Sequence, residues 1–376
     1  METVPVTIIG GGIVGLGLAY ELSNYLGPGS VYLFEKNSVL GAEQSGRSSE
    51  VVHSGINQHG LKLELCVEGN ILMREFAHKY NIPLLDTGIL ITSHNSKQKE
   101  TLQNLLEEYK FIPGLKQINS SEINRLEPNI LSEYALYNPT TATIDTATLT
   151  DRLAHLTRKN GVEILLGSEI TNIEASEKEI ILNVSSGKQQ YSFKTDYLIN
   201  SAGLHCDKVA KMINPQTTYE VVPVKGEYYQ FQNKGKWKVN RNIYPPPWKF
   251  EHQDRTYYDL GVHLTPDATG KMVRVGPYVT PISEKNDYTL NTPQEVFIEK
   301  LRPFYCRNGE EQEFTTEAKA KLKPGHVGII AEIRHTHDFD ILRDPKYNNC
   351  INLLGMESPA LTSVFAIAKY VKNKYF

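Results

Sequence analysis

The stretch VTIIGGGIVGLGLAYELSNYLGPGSVYLFE, residues 6–35, decides how the rest of the chain is read. Residues 6–9 form a short apolar run of the kind that builds a buried parallel strand, and they deliver the backbone into Gly10-Gly11-Gly12-Ile13-Val14-Gly15. Ile13, Leu16, Ala19 and Leu22 then recur at helical spacing, and residues 31–34 read as a second buried strand ending at Glu35. This is a strand-turn-helix-strand unit with G-x-G-x-x-G in its turn. Gly10 permits the tight turn, Gly12 lets a pyrophosphate approach the backbone, and Gly15 lets helix and strand pack closely. The unpaired N–H groups of the first helical turn face the phosphates. Glu35 stands about twenty residues past Gly15, where a carboxylate meets ribose hydroxyls. A glycine turn alone would equally suit a plain connection between core elements. The flanking strands and the placed acid favour a dinucleotide.

Working outward, 376 residues are too many for one ordinary core, so two lobes are expected. The formal net charge of −3 and a charged fraction of 22% give no basis for a nucleic-acid partner. Cys66, Cys206, Cys306 and Cys350 are far apart and make no C-x-x-C pair, which argues against a disulfide framework or a metal site and suits a reducing compartment. No apolar run is long enough to span a bilayer, and the first strand begins almost at Met1. A cytoplasmic enzyme is the expectation, with peripheral membrane contact or an organellar location left open.

Beyond Glu35, residues 37–54 are polar and glycine-bearing, and they crowd Ser45, Arg47, Ser48 and Ser49 just before His53. Hydroxyls and a guanidinium there can hold more of a cofactor, or simply form a solvated loop. Helices are expected at 61–80, 97–109 and 146–159, the last stopped by Asn160-Gly161. Short strands follow at 162–166, 170–174, 179–184 and 190–193, then 197–200 runs into Ser201-Ala202-Gly203. A three-stranded meander inside a parallel dinucleotide fold is carried by flavin-binding domains and not by simple nicotinamide domains, which points to FAD. Residues 219–231, 241–247, 257–264 and 271–279 read as aromatic-rich antiparallel strands. Residues 287–322 return to helix-like sequence. At the end, a strand over 351–354 enters Gly355-Met356-Glu357-Ser358-Pro359, with Ser358 as N-cap and Pro359 as first residue of a terminal helix. The expected fold class is therefore α/β: a Rossmann-like FAD-binding domain with a β-meander, plus a second α+β substrate domain built on an antiparallel sheet. The first domain is expected to take residues 1–75, 140–218 and 325–376, and the second 76–139 and 219–324.

The segments IIGGGIVGLGLAYEL, SGRSSEVVHSGI, LELCVEGN, LINSAGLHCDKVA, VVPVKGEYY, NIYPPP, LGVHLTP, VRVGPY and LLGMESPALTSVFAIA run in order over nearly the whole chain. Together they resemble the FAD-dependent oxidoreductases of the D-amino-acid oxidase type, most closely the branch containing L-2-hydroxyglutarate dehydrogenase. The resemblance implies pyrophosphate at Gly10, Gly12, Ile13, Val14 and Gly15, and adenosine at Glu35 and Lys36. It brings Ser45, Arg47, Ser48 and Ser49 toward the flavin and runs Ala202 and Gly203 along the cofactor. It also places Gly355, Met356, Glu357, Ser358, Leu361 and Thr362 near the pyrimidine edge of the ring. A helix start suits that edge, because reduced flavin gathers negative charge there.

Oxidising an alcohol at FAD needs hydride transfer from carbon to flavin N5 and removal of the hydroxyl proton, so a base beside the ring is wanted. His53 is the candidate base, with substrate positioning or flavin contact as its other possible roles. Lys225, Tyr229, Tyr244 and His263 come from separate matched strands and are candidates for holding a small-molecule carboxylate substrate. Each could instead be a surface charge or a satisfied core residue. His335-Thr336-His337-Asp338 is weak evidence for a metal and none is expected. One departure stands out: hydroxyglutarate dehydrogenases usually read G-V/I-R-A-Q where this chain has Gly328-Ile329-Ile330-Ala331-Glu332, which leaves Arg334 as the nearest guanidinium for the carboxylate. The leading expectation is oxidation of a 2-hydroxy acid, L-2-hydroxyglutarate or a relative, to the 2-oxo acid. An amine or amino-acid oxidase on the same scaffold, and an inactive flavoprotein acting as a binding factor, remain alternatives. The electron acceptor is unassigned among quinone, electron carrier and oxygen.

Overall fold

The computed structural model describes residues 3–252 and 255–376. Two large sheets organise the chain. In the first, the strands run in the order Ser168–Ala175, Ile180–Ser186, Gln189–Asn200, Thr3–Ile9, Val31–Phe34 and Glu163–Leu165, with Cys350–Leu354 attached beside Gln189–Asn200 and Asp340–Arg343 paired antiparallel on Cys350–Leu354. The sequence reading split Gln189–Asn200 into two strands, but it is one unbroken strand with two kinds of neighbour. Its first half pairs antiparallel with Ile180–Ser186, completing the meander, and its second half pairs parallel with Thr3–Ile9 and Cys350–Leu354. Residues 194–196, expected between two strands, lie where the pairing passes from Ile180–Ser186 to Thr3–Ile9.

Helices Ile13–Leu26, Gly60–Lys79, Thr146–Lys159 and Ala360–Tyr375 supply the core that covers this sheet. Ile13 to Ala19 are all buried, so the first helix is enclosed on nearly every side rather than carrying a single apolar stripe. Truncating a fully buried residue such as Leu16 to alanine costs about 2–5 kcal/mol.

The second sheet has the order Lys323–Ile333, Val221–Gln232, Met272–Pro281, His263–Pro266, Asn242–Tyr244, Ile89–Ser93, Tyr134–Asn138 and Lys116–Asn119. It is antiparallel throughout except where Asn242–Tyr244 lies parallel to Ile89–Ser93. Helices Gln294–Tyr305 and Glu311–Lys321 pack on it through Phe297, Ile298, Leu301, Phe304 and Phe314, forming a separate core.

Two expected boundaries move. Lys323–Ile333 pairs with Val221–Gln232, so the second sheet runs past residue 325. Helix Gly60–Lys79 continues through residue 75 and sends Leu65, Met73, Phe76 and Ala77 into the first core. The terminal helix also begins later than expected: Pro359 is its N-cap and Ala360 its first residue, and Ser358 makes no capping bond. No helix among the described residues is long and apolar enough to cross a membrane.

Candidate active site

A continuous cavity of about 760 Å³ runs from the glycine turn to the inner face of the second sheet. At one end lie Gly10, Gly12, Ile13, Val14, Glu35 and Lys36; at the other lie His53, Tyr228, Tyr244, His263 and Ile330.

The glycine end is shaped by backbone. A Cβ on Gly15 would sit 2.0 Å from the Gly10 carbonyl oxygen, and one on Gly10, whose φ is +108°, would sit 2.5 Å from that of Ser201. Both glycines are therefore demanded by close packing of strand against helix. Gly12 differs: its Cβ would meet only Ser45 Oγ, at 3.1 Å, so its open side belongs to the cavity. The Ile13 N–H donates to Ser45 Oγ at 2.9 Å, and Glu35 accepts from the Gly11 and Asn37 N–H groups at 2.7 Å each. Lys36 pairs with Glu43 at 2.7 Å. Although burial pushes the Glu43 carboxyl up, contacts with His205 and Lys36 outweigh it and hold the group at about 2.

Arg47 is built into the wall: Nε donates to the Ala42 carbonyl and Nη1 to the Val327 carbonyl, and the guanidinium lies 4.3 Å from the Tyr288 ring centroid. It ties the Ser45–Arg47 turn to the second sheet. Ser48 and Ser49 line the cavity beside it, as do Ala202 and Gly203 from the strand end opposite. At the carboxyl end Met356, Glu357, Ser358 and Leu361 line the cavity, whereas Gly355 and Thr362 lie behind the lining. The Thr362 hydroxyl accepts from the His53 N–H at 2.9 Å.

His53 is held from three sides. Besides Thr362, its carbonyl accepts from Asn70 Nδ2 at 2.8 Å, and its Nε2 lies 3.4 Å from Ser358 Oγ. Burial lowers the imidazole to about 4, so the ring is neutral at physiological pH. Asn70 was missed by sequence reasoning, though a polar residue on the buried face of the Gly60–Lys79 helix was a visible signal. Lys62, which lines the cavity and pairs with the expected site residue Glu357 at 2.5 Å, was also missed, and nothing local in the sequence marks it.

Across the cavity, His263 and Tyr244 stack with ring centroids 3.8 Å apart and planes 15° from parallel. Both line the cavity; the Tyr244 hydroxyl meets the Thr265 side chain, and His263 Nε2 is buried without a hydrogen-bond partner among the described residues. Burial holds His263 at about 3, and the tyrosine hydroxyl is pushed far up by the same cause.

Three expected substrate-binding residues do not line this cavity. On strand Val221–Gln232, side-chain alternation gives the cavity Val224, Gly226 and Tyr228. Lys225 and Tyr229 face the other way: Lys225 pairs with Asp287 at 2.9 Å, and Tyr229 donates to the Thr292 carbonyl at 3.4 Å and packs on Phe297. Together with Glu227, which accepts from the Thr292 N–H at 3.1 Å, they clamp the 287–292 segment over the far face of the sheet. Arg334 lies beyond the cavity in an exposed ion pair with Glu220 at 2.6 Å. Among the described residues no group of His, Cys, Asp and Glu could hold a metal ion.

Residues 5–373 match the family described as FAD dependent oxidoreductase. The chain belongs to that family. Among curated relatives of this family, an L-2-hydroxyglutarate dehydrogenase of Indibacter alkaliphilus is 28% identical, over 96% of each chain. A mitochondrial L-2-hydroxyglutarate dehydrogenase of Caenorhabditis briggsae is 32% identical over 98% of this chain and 92% of its own. An L-alpha-glycerophosphate oxidase of Mycoplasma pneumoniae with FAD bound superposes with a TM-score of 0.85 at 24% identity, covering 99% of this chain and 94% of that one. The family's cofactor is FAD, and the residues here fit it: the open side of Gly12, the first-turn N–H groups and Glu35 meet its phosphates and ribose in chemical kind.

Proposed function

We propose that this enzyme oxidises a 2-hydroxy acid, L-2-hydroxyglutarate or a close relative, to the 2-oxo acid, and works in the cytoplasm. The observation that carries the reading is likeness to L-2-hydroxyglutarate dehydrogenases along nearly the full length of the chain. It is supported by a cavity whose far end holds two neutral imidazoles and a buried phenol. FAD, when bound, accepts the carbon-bound hydrogen with its electron pair. The protein's own tasks are to hold the acid, exclude water and take the hydroxyl proton. Gly10, Gly12, Ile13, Val14 and Gly15 form the phosphate turn of the proposed cofactor site. Glu35 takes the ribose, and the 45–49 turn and the 356–361 segment frame the flavin. His53 and His263, both at the far end of the cavity, are each able to receive a proton.

Ile330 and Glu332 face the cavity where related dehydrogenases carry arginine and glutamine, and Arg334 is engaged elsewhere. A second carboxylate is therefore gripped without that arginine, which favours shorter 2-hydroxy acids over L-2-hydroxyglutarate in relative rate. The deciding experiment is anaerobic bleaching of bound flavin by a panel of L- and D-2-hydroxy acids and amino acids. Bleaching by L-2-hydroxy acids is expected. Bleaching by amino acids alone would replace this reading with an amine-oxidising one, and a flavin that stays oxidised throughout would leave only a binding role.

A further inference from the structure

We propose that the far end of the cavity is a pocket for an uncharged, apolar side chain, so that the enzyme selects 2-hydroxy acids with alkyl or aromatic tails over those ending in a second carboxylate. The proposal deepens the 2-hydroxy acid reading above and rests on it.

Two elements build the pocket. The first is the second sheet, where Ile330 stands opposite Val224, and Val279 opposite Gly226, on three adjacent strands. Period-two alternation sends Ile330, Val224, Val279 and Pro277 into the cavity. The second is the two-stranded sheet of Trp248–His252 and Arg255–Asp259. Its cross-strand neighbours Phe250 and Tyr257 stack with ring centroids 5.2 Å apart and planes 14° from parallel, and both line the cavity.

This wall is not a closed core. Ile330, Val279, Pro277 and Phe250 each keep accessible surface, so apolar area is held open inside a concave site. Such area is covered favourably by an apolar group of a ligand, with each methylene buried there worth about fourfold in affinity.

Charge argues the same way. Among the described residues, the cations that line the cavity are Lys36, Arg47, Lys62 and Lys208. Lys36 and Lys62 are paired with Glu43 and Glu357, and Arg47 is tied to two backbone carbonyls. Lys208 stands on the helix Cys206–Ile213, which packs on the first sheet. None of the four is on the strands that carry the wall. Two residues past Ile330, on the same strand face, the cavity meets the acidic Glu332. A substrate carboxylate pressed against this wall would leave water without gaining a cation there, which costs more than apolar contact returns.

L-2-hydroxypentanoate and L-2-hydroxyglutarate share a carbon chain and differ in whether it ends in a methyl or a carboxylate group. In anaerobic stopped-flow on the FAD-loaded enzyme, the second-order rate constant for bleaching is expected to be at least ~10-fold higher with L-2-hydroxypentanoate. Titrating the oxidised enzyme with the corresponding 2-oxo acids and reading the flavin spectrum needs no turnover, and 2-oxopentanoate should bind at least ~10-fold more tightly than 2-oxoglutarate. Equal or reversed order in either measurement overturns the proposal. Ile330→Arg places a guanidinium in the wall and is expected to lower the pentanoate-to-glutarate ratio at least ~10-fold. Phe250→Ala, on the other element, should lower the ratio of L-2-hydroxy-3-phenylpropanoate to L-lactate about 10-fold. A general folding defect reduces both rate constants of a pair together and leaves their ratio alone, so ratios unmoved in both variants overturn the assignment of the wall. Faster bleaching of wild type by L-2-hydroxyglutarate sinks the selectivity alone, whereas a flavin that no hydroxy acid bleaches sinks the reading beneath it as well.

Discussion

The two ends of the cavity are built on different principles. At the glycine turn, Ser45 and Glu35 are already engaged by the backbone N–H groups of Ile13, Gly11 and Asn37. At the opposite end, Tyr244 and His263 are buried in one stack, and His263 Nε2 is without a partner among the described residues. The first arrangement is preorganised by backbone and barely depends on what is bound. The second is built of side chains, and those carry the specificity.

The sharpest way to break this contrast is at Gly15. Gly15→Val drives a side chain into the Gly10 carbonyl, so loss of more than about 3 kcal/mol of stability and of bound flavin is expected, read by thermal unfolding and flavin content. Gly12→Ala tests the same turn from its open side. Flavin affinity should fall about 10- to 100-fold while the unfolding midpoint of the flavin-free protein hardly moves. Equal damage to both properties would show that Gly12 too is a packing glycine.

Acid should separate the two ends next. Burial holds His53, His94 and His326 at about 4 and His263 at about 3, all below the unfolded value. The unfolded chain therefore binds more protons, and the histidine contribution to stability falls as pH drops from about 6.5 toward 4. His263→Asn should make urea midpoints in that window less steep in pH; unchanged steepness would remove His263 from the buried neutral set.

The smaller effects lie outside the cavity. Lys225→Met removes one partner of the pair that clamps the 287–292 segment, so a lower thermal midpoint is expected with bleaching kinetics within about twofold of wild type. A large kinetic loss there would put Lys225 back in the substrate site. Arg334→Ala is expected to change neither midpoint nor substrate affinity measurably, since exposed ion pairs contribute little.

Much of the fold was legible because its signals are local. The first strand, the glycine turn, the helix and Glu35 fall within 30 residues, and the meander turns and the Asn160-Gly161 stop are equally short-range. The candidate site was legible only in part. Tyr244 and His263 do line the cavity, but Lys225 and Tyr229, equally plausible by residue type, face away from it. Period-two alternation says that Lys225 and Tyr229 share a face; it does not say which face meets the cavity. Asn70 and Lys62 escaped notice because their importance depends on partners far along the chain.

By itself, then, the order of residues determined the class of cofactor, since the steric demands of a phosphate turn are satisfied by a handful of neighbouring positions. Only the folded molecule decided which strand faces look inward and which nitrogen of His263 is bare. Those outcomes are set by a second sheet whose packing joins segments more than a hundred residues apart, as Ile89–Ser93 and Asn242–Tyr244 show, and by a carbonyl oxygen at Gly261 whose direction no composition or spacing specifies.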